Sequence, residues 1–157
     1  MGLFSGLFGG GKEKELPPLI PLGKFVPENP LEEKLKGFIE GRDTVKDVME
    51  VMLATQVFLP SMAEPEEMRQ GKVKFCVLEN PVQGDMAAVF TAPSRSDPVR
   101  PLLPGVKSAF LVEAKWVFQI VPEDLGIIIN PGWQAGLEMP AKGLVQFKKD
   151  YGLDKPE

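Results

Sequence analysis

The residues that could do chemistry at first sight are Gly6-Leu7-Phe8-Gly9-Gly10-Gly11-Lys12, which have the outline of a phosphate-binding loop. That loop needs Ser or Thr after its lysine to hold Mg²⁺, a buried strand before it and a helix after it. Here Glu13 follows the lysine, five residues precede Gly6, and Pro17-Pro18 halt any helix after Lys12 before a second turn. The segment is therefore read as a tail and not as a nucleotide site. Histidine is absent from the chain, which excludes Ser-His-Asp and Cys-His catalysis and removes the commonest transition-metal ligand. The remaining catalytic candidates are the carboxylates Glu64, Glu66, Glu67 and Asp85. They fall in segments of ordinary surface charge, and an enzyme built on them would need a cleft holding two carboxyls of raised pKa. The single cysteine, Cys76, alternates with apolar neighbours and reads as a small buried hydrophobe. No catalytic residue, cofactor or metal ligand is assigned.

The elements around these residues follow from hydrophobic period and punctuation. A chain of 157 residues suits one domain with a real core. A net charge of -4 and a pI near 5.0 argue against a nucleic-acid partner. No apolar run is long enough to span a bilayer, and no secretory leader is recognised; a cytoplasmic location is expected.

Residues 1–26 read as a Gly- and Pro-rich tail and arm, with Leu16 to Pro27 suited to an extended stretch lying on the domain. The domain is expected over 27–152 and a short C-terminal tail over 153–157. Asn29, Pro30 and Glu32 form a helix-start signal, and Leu31, Leu35, Phe38 and Ile39 share one face. A second helix, capped by Asp43 or Thr44, carries Val45, Val48, Met49, Met52 and Leu53. "QVFLPSM", "GKVKFCVLEN", "GDMAAVFTA", "SAFLVE" and "LGIIIN" read as strands. In the second of these, Val73, Phe75 and Val77 line one side. "AKWVFQIVPE" fits helix or strand, and "PAKGLVQFKKDYG" reads as a final helix placing Leu144, Phe147 and Tyr151 together. The expected fold is α+β: one domain with a mixed or antiparallel sheet, N-terminal helices and a C-terminal helix packed on it.

An ordered set of motifs, "ENPLEEKLKGF", "VFLP", "VFTAP" and "GIIINPGWQAGLEMP", resembles the SseB protein N-terminal domain family of bacteria. The resemblance covers roughly residues 28–151. It implies a fold and an accessory or interaction role, with no catalytic set attached. Members of that family place a helix soon after the Val-Phe-Thr strand, whereas this chain has Pro93, Pro98, Pro101 and Pro104 there.

Two surface candidates follow. Asn130-Pro131-Gly132 reads first as a chain reversal, with Asn130 forming an Asx-turn, and second as a small partner-binding site shared with Trp133. Leu3, Phe4, Leu7 and Phe8 would share one face of a short helix, suited to a partner's groove or to weak peripheral contact with a membrane. The expected function is a non-enzymatic interaction module with an undefined protein partner, open to homo-oligomerisation. A membrane-peripheral or scaffold-docked module and a carboxylate enzyme are the alternatives.

Overall fold

The computed structural model describes residues 18–154. Leu3, Phe4, Leu7, Phe8 and the glycine-rich stretch around them lie outside these residues.

Helix α1 (Pro30–Ile39) begins as its sequence dictates: Asn29 Oδ1 accepts the Glu32 N–H at 2.9 Å and Pro30 takes the first helical position. Helix α2 (Val45–Leu53) is capped by Thr44, which exchanges side-chain bonds with Asp47 in a reciprocal box. Strand β1 (Gln56–Ser61) and the short helix α3 (Pro65–Arg69) follow. Next come β2 (Val77–Leu78), β3 (Met86–Val89), β4 (Ser108–Glu113), α4 (Ala114–Ile120), β5 (Gly126–Ile129), β6 (Leu137–Met139) and α5 (Ala141–Asp150). The stretch that fitted helix or strand is the helix α4, burying Ala114, Val117 and Phe118 on one face.

The fold class is as expected, α+β with a mixed sheet. β2 and β3 pair antiparallel, β3 and β5 parallel, and β5 and β6 antiparallel, in the order β2-β3-β5-β6. The predicted hairpin and the "GIII" strand thus share one sheet. β1 and β4 form a separate antiparallel ribbon. Phe58 and Phe90 exchange both backbone bonds, at 2.8 and 2.9 Å, and stitch ribbon to sheet.

The doubly apolar character of β5 has a plain cause. Ile127 and Ile129 enter the larger core, built with α1, α2, α4 and α5, through residues such as Leu35, Met52, Phe118 and Leu144. Ile128 enters a smaller core beneath, with Leu78, Met86, Phe90 and Val99. Both faces of the sheet are covered at its two central strands, so β3 and β5 are apolar throughout.

Three details differ from the expectations above. Val77 is exposed, while Cys76 and Leu78 are buried; β2 is two residues long, and the chain before it leaves the pleat that alternation assumes. Phe25, inside the stretch read as tail and arm, is fully buried, and Leu153, read as tail, is 2 % exposed in the larger core. In both cases one apolar side chain without periodic neighbours carries no pattern to detect. The proline-rich connection forms 3-10 turns over Pro93–Leu102 and buries Arg95, Ser96 and Val99. Its prolines remove N–H groups that a continuous α-helix would need.

Candidate functional site

The expected site residues Asn130 and Trp133 stand at the centre of a buried polar network. Asn130 has φ 55°, a left-handed backbone that Asn tolerates better than most side chains, and Gly132 has φ 95°. The Asn130 side chain does not make the anticipated Asx-turn. Its Oδ1 accepts the Thr91 N–H at 2.9 Å, and its Nδ2 donates to Thr91 Oγ1 at 2.9 Å and to the Ala135 carbonyl at 3.1 Å. These partners lie on the end of β3 and on the far side of the turn, so Asn130 clamps two chain segments together.

Thr91 donates its hydroxyl to Glu32 Oε2 at 2.6 Å. Glu32 also accepts a two-pronged contact from Arg95, Nε to Oε2 at 2.9 Å and Nη2 to Oε1 at 2.7 Å, and the Glu28 N–H at 2.9 Å. Burial pushes the Glu32 carboxyl up, and the bonds from Arg95, Thr91 and Glu28 N–H outweigh it, holding the group below its ordinary range. The Arg95 guanidinium lies 4.0 Å from the Phe25 ring centroid and 4.8 Å from that of Trp133. The Trp133 indole N–H donates to the Arg95 carbonyl at 2.8 Å, and its ring meets Phe25 edge-on at 5.6 Å. Ile20 exchanges backbone bonds with Gly132 and Gln134, clipping the arm to the same loop.

The motifs "ENPLEE", "VFT" and "NPGW" therefore converge in space. All the side-chain polar atoms of Asn130 and both carboxylate oxygens of Glu32 are bonded internally, and each residue is at most 1 % exposed. This arrangement holds segments in register. It presents no free reactive group.

The carboxylate candidates do not gather. Glu67 accepts the Glu64 N–H at 3.0 Å at the start of α3, a bond that holds its carboxyl below the ordinary range. Glu66 faces Arg69, and Asp85 is an exposed residue before β3. Burial pushes the Cys76 thiol up to about 11, in keeping with an inert side chain. Among the described residues no group of three or more His, Cys, Asp and Glu is placed to hold a metal ion. No helix among them is long and apolar enough to cross a membrane.

The feature that sequence reasoning missed is the outer edge of the ribbon. β4 pairs with β1 on one side, and no described strand lies on the other. The Ala114 N–H donates to the Thr55 carbonyl, and Phe58 turns its backbone groups away from β4 toward Phe90. With the register Phe58↔Leu111, the backbone groups of Ala109 and Leu111 and the Glu113 N–H must point outward. Hollows of about 390 and 160 Å³ flank this edge, with Phe110, Leu111, Val112 and Trp116 on their walls. A further groove of about 390 Å³ lies between the ribbon and the 3-10 segment, walled by Phe58, Pro60, Leu103 and Ala109. The alternation of "SAFLVE" gave the strand; that it would lie at an edge depends on topology, which no local pattern carries.

Residues 31–146 match the family described as SseB protein N-terminal domain, and the chain belongs to that family. No curated protein and no solved structure is significantly similar to the chain.

Proposed function

We propose that this member of the SseB N-terminal domain family is a non-enzymatic accessory module that binds another polypeptide by strand addition at β4. One observation carries the reading: β4 is a six-residue strand whose outer edge pairs with no strand among the described residues. Natural edges are usually blunted by proline, lysine or a bulge. Between Ser108 and Glu113 this edge has neither proline nor lysine, and Leu111 is 54 % exposed. An added strand would gain main-chain bonds from Ala109 and Leu111, and its alternate side chains would enter the apolar hollows beside Trp116. The Asn130–Thr91–Glu32–Arg95 network supports this by fixing the sheet that carries the ribbon.

The test is Leu111→Pro in the full chain. The Leu111 N–H faces outward, so proline there removes a donor for an added strand without removing a bond to β1. Partner recovery from the native cell should fall to background while the melt stays close to that of the parent. Full recovery with an unchanged melt would overturn the reading.

A second reading concerns Leu3, Phe4, Leu7 and Phe8 as a docking segment for a partner's groove. It is supported by their spacing and by the anchoring of Ile20 and Phe25 on the domain, which sets where the preceding chain is delivered.

A further inference from the structure

We infer that the strand taken up by β4 is the β4 of a second copy of this chain, paired antiparallel about a two-fold axis at Phe110, the register that sets Ala109 opposite Leu111 and Lys107 opposite Glu113. The inference rests on the strand-addition reading and supplies its partner.

Strand length selects this edge. The outer strands of the mixed sheet are β2, two residues long, and β6, three residues long and closed by Pro140. Only β4 among the three offers a ladder of useful length.

Charge then selects the partner. In a two-fold antiparallel pair, the start of each strand meets the end of the other. β4 begins beside Lys107 and ends at Glu113, both exposed. Antiparallel self-pairing therefore sets each Lys107 against the partner copy's Glu113 end, and the outward residues between them, Ala109 and Leu111, are apolar. Parallel pairing would bring the two Glu113 side chains together, which opposes it. The Lys107 N–H is turned inward to the Ser61 carbonyl, so Lys107 contributes its side chain and not a rung of the ladder. Its present neighbour, Glu64 at 3.3 Å, makes an exposed pair that can exchange, and Lys115 follows Glu113 on α4. On the inward face Phe110 and Val112 are partly buried with Trp116, and pairing extends that apolar surface across the axis. Seven residues a side make a contact below the ~1,200 Å² typical of stable complexes, so the dimer is weak and concentration-dependent.

The test is sedimentation equilibrium of the full chain over a wide concentration range, with melts as folding controls. The parent should dimerise reversibly, and Leu111→Pro should remain monomeric. Lys107→Glu and Glu113→Lys should each weaken dimerisation at least tenfold, because each sets like charges at both ends. An equimolar mixture of these two variants should associate, since the strand with two acidic ends then faces the strand with two basic ends. A parent that stays monomeric throughout overturns self-pairing, as does a mixture no more associated than its components. Either failure leaves strand addition to be decided separately, by whether Leu111→Pro abolishes recovery of a different protein.

Discussion

The Thr91 hydroxyl lies 2.6 Å from the Glu32 carboxylate, although 59 residues separate the two in sequence. This bond joins the first turn of α1 to the end of β3, and through Asn130 it reaches the turn after β5. It makes the network a single mechanical unit.

Breaking that unit from the acidic side should be costly. Glu32→Gln leaves buried Arg95 with only the half-exposed Glu28 carboxylate, 3.6 Å away, as counter-charge, and a loss of about 3 kcal/mol, the low end for a broken buried pair, is expected from chemical denaturation. A loss below about 1 kcal/mol, the scale of an exposed ion pair, would show that the pair contributes little.

The same pair sets an acid limit. The Glu32 carboxyl is held below its ordinary value of 4.5, so its contribution is fully present above that pH and is lost as pH falls through the folded-state value. Stability measured against pH should fall on acidification in the parent, and the Glu32→Gln variant should lack this part of the slope.

Asn130 should matter through both bonding and backbone. Asn130→Ala leaves the Thr91 N–H without its acceptor and sets Ala in a left-handed conformation, for a combined loss of about 2–4 kcal/mol. Asn130→Gly, which relieves only the backbone part, should melt higher than Asn130→Ala. Equal melts would show that φ is not a factor.

Glu138 should act in the opposite sense to Glu32. Its Oε2 has no hydrogen-bond partner among the described residues, and burial raises its pKa. The sign follows: the cost of ionising it in the fold is absent below its unfolded value and complete above the raised folded value. Glu138→Gln should therefore be more stable than the parent at neutral pH, with the gap closing in acid. A destabilised Glu138→Gln at neutral pH would contradict this.

Much of the fold could be read from local signals, because they were strong where they occurred. Asn29-Pro30 and Thr44 mark helix starts through backbone bonds that only a few residue types supply, and "GIII" announces two buried faces. The network was only half visible. Glu32 looks like a capping-box residue, and its position three after Asn29 explains it fully without Arg95. The Glu32–Arg95 pair spans 63 residues, and Arg95 sits in a proline-rich stretch with no periodicity. Phe25 was hidden for the same reason: its partners, Trp133 and Arg95, are distant in sequence. The open edge of β4 follows from strand order, which depends on long-range pairing that the sequence of β4 does not contain.

The docking segment has its own test. Deleting Met1–Gly11 should leave the melt of the domain unchanged and weaken partner recovery or localisation. A domain that unfolds on deletion would show that these residues belong to its core.

Hydrogen exchange at single amides in β4 tests strand addition most directly. In dilute protein, Phe110 and Val112, bonded toward β1, should exchange slowly, and Ala109 and Leu111 should exchange quickly. Raising the concentration, or adding a partner recovered from the native cell, should slow Ala109 and Leu111 while leaving the inward pair as it was. Outward amides that are already slow in dilute protein, or that stay fast at every concentration and with every partner, would contradict the account.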